Sequence, residues 1–127
     1  MKYLYFISFV LLIQISYAQY DPVLDSLYYR KFEEANKIID EEFDGYDEKL
    51  LTAITASEKN DLATSFKILF EIDTLQLSEY QKAFYNKFLA HTYDNNAERD
   101  QSLKYFNIAQ KKFKELGLDD ISNEINL

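Results

Sequence analysis

The chain has 127 residues, 47% of them apolar and 28% charged, with 14 basic residues against 22 acidic ones, one proline, two glycines and no cysteine. One small domain fits this length, whereas a doubly wound nucleotide fold or a (β/α) barrel does not. Turn-formers are too few for a many-stranded β domain, the missing cysteine excludes disulfides and thiolate metal sites, and a formal net charge of −8 repels phosphate backbones and so argues against a nucleic-acid partner. An all-α fold is what remains.

Residues 1–18 differ in composition from the rest. Lys2 is their only charge, and Tyr3 to Ile15 is apolar apart from Ser8 and Gln14. A positive start, an apolar core and the small residues of Ser16-Tyr17-Ala18 before Gln19 predict a secretory signal peptide cleaved after Ala18. The apolar run is shorter than the roughly 20 residues that span a bilayer, so no stable membrane span is expected after cleavage. The mature chain then has 109 residues, and losing Lys2 leaves 13 basic against 22 acidic ones, a net charge of −9. Its expected location is periplasmic or secreted.

Asp21-Pro22 predicts an N-cap followed by proline at the first helical position. A helix is expected over roughly Val23 to Glu42 with a break near Tyr29, closed by Phe43-Asp44-Gly45. Leu50, Leu51, Ile54, Ala53 and Ala56 mark a second helical series. Asn60-Asp61 opens a third, in which Leu62, Phe66, Leu69 and Ile72 recur at the helical period. Asp73-Thr74 closes it. Ser78-Glu79-Tyr80-Gln81 is a capping box that starts a helix carrying Phe84, Phe88, Leu89 and Tyr93. Asp94-Asn95-Asn96 interrupts that helix. The last one, about Arg99 to Leu116, has a predicted buried stripe of Leu103, Phe106, Ala109, Phe113 and Leu116. Gly117 is placed as its left-handed cap, and Lys111, Lys112 and Lys114 oppose the negative end of its dipole.

Leu89-Ala90-His91-Thr92-Tyr93, followed by Ser102-Leu103-Lys104-Tyr105-Phe106-Asn107-Ile108-Ala109, resembles a tetratricopeptide repeat, a helix pair of about 34 residues. With Ala83 as its first place, Leu89, Ala90, Tyr93, Ser102, Phe106 and Ala109 match the signature, while Asn86 and Lys114 depart from it. Ala53, Ala56, Asn60-Asp61, Ser65, Phe66 and Leu69 resemble a second copy, and Phe32, Ala35 and Ile39 a third. The small residues Ala35, Ser65 and Ser102 are 30 and 37 residues apart. The resemblance implies antiparallel helix pairs, about three of them, stacked over residues 19–118 into an α-solenoid. Residues 119–127, with Ile121 and Ile125 on one face, are expected to be a capping helix or the start of a further repeat.

The resemblance also implies a concave groove that binds a protein or peptide. Its places in the best repeat are Phe84, Lys87, His91, Asp94 and Asn95. In the repeat counted from Tyr46 they are Asp47, Leu50, Ile54, Ser57 and Glu58, of which Leu50 and Ile54 are the strongest candidates. Exported arrays of this kind are similar to the N-terminal sensory segments of bacterial membrane-bound regulators, so a truncated segment of such a regulator is one alternative role. A self-associating structural subunit is another.

No catalytic, cofactor or metal residue is expected. Asp40, Glu42, Asp44 and Gly45 imitate the start of a calcium loop, but its twelfth place, which needs a bidentate glutamate, is Leu51. His91 is the only histidine, so a two-histidine metal site cannot form within one chain. Two glycines cannot build a phosphate cradle, and no pair of carboxylates is marked out by spacing. Tyr28-Tyr29 and Tyr105-Phe106 cannot both face inward, which leaves an outward aromatic at each place as a partner anchor.

Overall fold

The computed structural model describes residues 20–118, and among them there is helix and turn but no strand. A helical stretch over residues 20–28 (α1) precedes α2 (Phe32–Glu42), α3 (Gly45–Glu58), α4 (Leu62–Glu71), a 3₁₀ turn at Thr74–Gln76, α5 (Glu79–Asn95) and α6 (Arg99–Glu115). The expected leader over 1–18 and the expected helix over 119–127 lie outside the described residues. No described helix is long and apolar enough to cross a membrane. The break expected near Tyr29 is a turn at residues 29–31. Asp21 is not an N-cap, because residue 20 is already helical.

Three turns share one backbone conformation. Arg30, Asn60 and Ala97 are left-handed, with φ of 58°, 64° and 59°. The N–H of the next residue reaches back to a carbonyl of the preceding helix, from Lys31 to Ser26 at 2.7 Å, Asp61 to Ala56 at 2.9 Å and Glu98 to Tyr93 at 2.9 Å. The left-handed residues themselves donate to Leu27, Ser57 and Asp94, each at 3.0 Å. This is the Schellman arrangement, which satisfies carbonyls left over at a helix end. Lys31 and Asp61 then share φ −91° and ψ 72°, and Glu98 has −100° and 74°. Each second helix therefore leaves its turn in the same direction.

Counted from these turns, the buried residues recur. Five places after each left-handed residue stands Ala35, Ser65 or Ser102, and seven places before it Val23, Ala53 or Ala90, all completely buried. Five of these six side chains are alanine or serine, small enough for the two helices of a pair to approach closely, and the sixth is Val23. Leu103 does not join the stripe expected in α6, because Ser102 takes the inward place and turns Leu103 outward. The links between pairs differ. Gly45 enters α3 at φ +59°, which glycine adopts without strain. The capping box stands at the start of α5, with Gln81 N–H to Ser78 Oγ and Ser78 N–H to Gln81 Oε1 both at 3.0 Å.

Side-chain bonds tie the first helices of the pairs together at both ends. At the starts, the Tyr20 hydroxyl donates to Asp47 Oδ1, which also accepts from Gln81 Nε2 at 3.1 Å. At the finishes, Arg30 Nη2 donates to the Glu58 carbonyl at 3.4 Å and Asn95 Nδ2 to Ser57 Oγ at 3.0 Å. Because start meets start and finish meets finish, α1, α3 and α5 lie side by side and parallel. α2 packs against α3, and α4 against both α3 and α5. Phe84 is completely buried among aromatic rings, 4.8 Å from Tyr20, 5.2 Å from Tyr80 and 5.0 Å from Phe113.

Candidate functional site

The three parallel helices line an open-mouthed cavity of about 230 Å³. α1 lines it with Leu24, Leu27 and Tyr28, α3 with Ile54 and Glu58, and α5 with Lys87, Phe88 and His91. Each helix contributes a pair four apart, Leu24 and Tyr28, Ile54 and Glu58, Lys87 and His91, the spacing that aligns side chains on one face; Leu27 and Phe88 lie beside these rows. Leu27, Ile54 and Phe88 are buried and form the floor. Tyr28 stands at the mouth, 80% exposed, with its ring edge-on to Tyr29 at 5.1 Å.

Two of the polar groups record a poorly hydrated environment. His91 meets the Phe106 ring edge-on at 5.0 Å. Burial pushes its imidazole down to about 4; nearby Lys87 adds to the shift and Asp94 opposes it. The ring is therefore neutral at pH 7, with one nitrogen donating and the other accepting. Burial raises the Glu58 carboxyl above its ordinary value, against the pull of Arg30. Desolvation moves an acid up and a base down, so the two opposite shifts have one cause.

Of the residues expected in the groove, Ile54, Glu58, Lys87 and His91 come together at this cavity. Leu50 and Phe84 do not: both are completely buried and cannot touch a ligand. The reason is their surroundings, since α3 packs against α2, α4 and α5, and Phe84 is enclosed by Tyr20, Tyr80 and Phe113. Asp94 and Asn95 lie at the finish of α5, where Asp94 pairs with Arg99 at 3.5 Å and Asn95 holds Ser57. The residues that sequence reasoning left out are Leu24, Leu27 and Phe88. Counting back from the turn at Arg30 puts Leu24 and Leu27 in the places that Ile54 and Ser57 hold before Asn60. Locating that turn is the signal that finds them.

Among the described residues, no three His, Cys, Asp or Glu side chains gather as a metal ion would require. Asp40 and Glu42 belong to α2 and Asp44 is extended, so these residues do not form one continuous loop. No family model, curated protein or solved structure matches the chain.

Proposed function

We propose that the protein is an exported, non-catalytic tetratricopeptide-like module of about three helix pairs that holds a protein or peptide segment in the groove along α1, α3 and α5. The recurrence of one turn conformation, with small buried residues at fixed places on either side, supports the repeat reading. The observation that carries the binding role is the cavity itself, which draws residues from all three first helices and opens beside an exposed tyrosine. Tyrosine supplies contact area with little side-chain entropy to lose, and buried apolar walls with a few polar groups are what ligand sites use. A repeat scaffold fixes the shape of such a surface and leaves its specificity to the groove side chains.

The test is partner capture with the wild-type chain and with Lys87→Ala and His91→Ala variants, each checked for unchanged helicity. Capture should weaken in both variants. Undiminished recovery by both would remove these positions from the binding surface. Export is tested separately, by sequencing the N-terminus of the released protein, which should begin at Gln19.

A further inference from the structure

We infer that the groove takes an extended segment with a large apolar side chain between a basic and an acidic residue, the basic residue lying toward Glu58 and the acidic one toward Lys87. This rests on the groove reading above and adds a chemical register to it.

The register follows from the way the helices are tied. The Asn95 to Ser57 hydrogen bonds, at 3.0 and 3.3 Å, set the finishes of α3 and α5 level with each other. Glu58 is next to Ser57, at that end. Lys87 lies eight residues before Asn95, or about 12 Å back along the helix axis at the rise of an α-helix. His91 is midway. The groove thus has an acid at one end and a base at the other, with apolar walls from Leu24, Leu27, Ile54 and Phe88 between them.

An extended chain advances about 3.3 Å per residue and turns alternate side chains to one face, so residues i and i+4 are about 13 Å apart with i+2 between them. That matches a cation, an apolar group and an anion at alternate positions. At about 230 Å³ the cavity is below the roughly 300–1,000 Å³ of pockets that enclose a drug-sized ligand. It accommodates one side chain and leaves the rest of the segment on the surface. The opposed charges also select against competitors, since a uniformly basic segment meets Lys87 and a uniformly acidic one meets Glu58.

The experiment uses capped, dye-labelled pentapeptides followed by anisotropy. KSFSE is the reference, with KSGSE lacking the anchor and ESFSE and KSFSK each reversing one charge. KSFSE should bind, KSGSE at least about fivefold more weakly, and each charge-reversed peptide about threefold more weakly. Glu58→Lys should restore ESFSE, and Lys87→Glu should restore KSFSK. Glu58→Gln and Lys87→Gln serve as milder variants should a reversal perturb folding. If all four peptides bind alike, or the reversed variants restore nothing, the register is wrong while the groove reading stands. If none binds but capture still depends on Lys87 and His91, the register again falls alone. If none binds and capture ignores both residues, the two readings fall together.

Discussion

The second and third helix pairs share a backbone plan and differ in what they present along it. Counted back from Asn60 and Ala97, α3 and α5 carry Ala53 and Ala90 in one place, both completely buried. In another they carry Thr55 and Thr92, whose hydroxyls donate to carbonyls one turn earlier, Leu51 at 2.8 Å and Phe88 at 2.9 Å. The places that the repeat frame assigns to a groove are exchanged instead, although only Ile54, Glu58, Lys87 and His91 among them line the cavity. Asp47 corresponds to Phe84, Leu50 to Lys87, Ile54 to His91 and Glu58 to Asn95. Close approach of two helices tolerates only small side chains, whereas a groove wall accepts any residue that its neighbours can cover. Places that set helix distance are therefore held constant, and places that set surface chemistry are free to vary.

The largest expected effect separates Phe84 from Lys87, one helical turn away on α5. Phe84→Ala removes a buried ring from an aromatic cluster and should cost about 3–5 kcal/mol, a large share of the stability of a small domain. Lys87→Ala should stay within about 0.5 kcal/mol, because its side chain lines a cavity and does not fill the core. Urea midpoints of the two variants test this. An unshifted midpoint for Phe84→Ala would return Phe84 to the groove and break the comparison.

The exchange of Ile54 for His91 predicts a pH dependence. The imidazole titrates near 6.5 when unfolded and near 4 when folded. Between these values the unfolded chain binds a proton that the folded one refuses, so the stability present above pH 6.5 declines as pH falls toward 4. The loss should be about 1–2 kcal/mol after discounting for the solvent that still reaches the ring. Glu58 acts in the opposite sense, since its raised folded-state pKa favours the folded state as pH falls through that value. His91→Ile, the residue of the corresponding place in α3, should reduce the difference between urea midpoints measured at about pH 7 and 4.5. An undiminished difference would assign the pH dependence to other groups.

How much of this was legible in the sequence depended on whether the cue was local. The Ser78 capping box and the Asn60-Asp61 turn could be read directly, because their side chains bond to nearby backbone or tolerate a left-handed conformation. Arg30 and Ala97 adopt the same conformation with no such cue, so the sequence predicts the first turn only as a break and gives no frame for its groove residues. Where a frame can be counted, it places Ile54, Glu58, Lys87 and His91 on the cavity. The burial of Leu50 and Phe84 could not be counted from any frame. It is a property of the neighbouring helices, and only tertiary contact reveals it.

Smaller effects distinguish equivalent small residues. Ser65 Oγ pairs with Thr92 Oγ1 at 2.9 Å, so Ser65→Ala should cost about 1 kcal/mol. Ser102 Oγ is buried and has no hydrogen-bond partner among the described residues. Ser102→Ala should therefore raise stability by about 1 kcal/mol, and Ala35 in the first pair shows that alanine fills the corresponding place. Opposite shifts in thermal midpoint for the two variants are the expected result. Two shifts of the same sign would mean that the hydroxyl environments do not differ as described.

The smallest effect concerns the turns themselves. A left-handed conformation crowds the Cβ of an ordinary residue, costing about 1–2 kcal/mol, and glycine removes that cost while adding freedom to the unfolded chain. At Ala97 the net should be a gain of about 0.5 kcal/mol, because the methyl group contributes no bond that holds the turn. At Asn60, whose short amide tolerates this conformation, the same replacement should be close to neutral. Arg30→Gly falls below Ala97→Gly, since it also removes the guanidinium that lies 5.0 Å over the Phe32 ring and bonds the Glu58 carbonyl. The order to be measured by thermal melting is Ala97→Gly above both others. If Arg30→Gly instead stabilised most, the tie between α1 and α3 at that end would be too weak to set the level of the two helices.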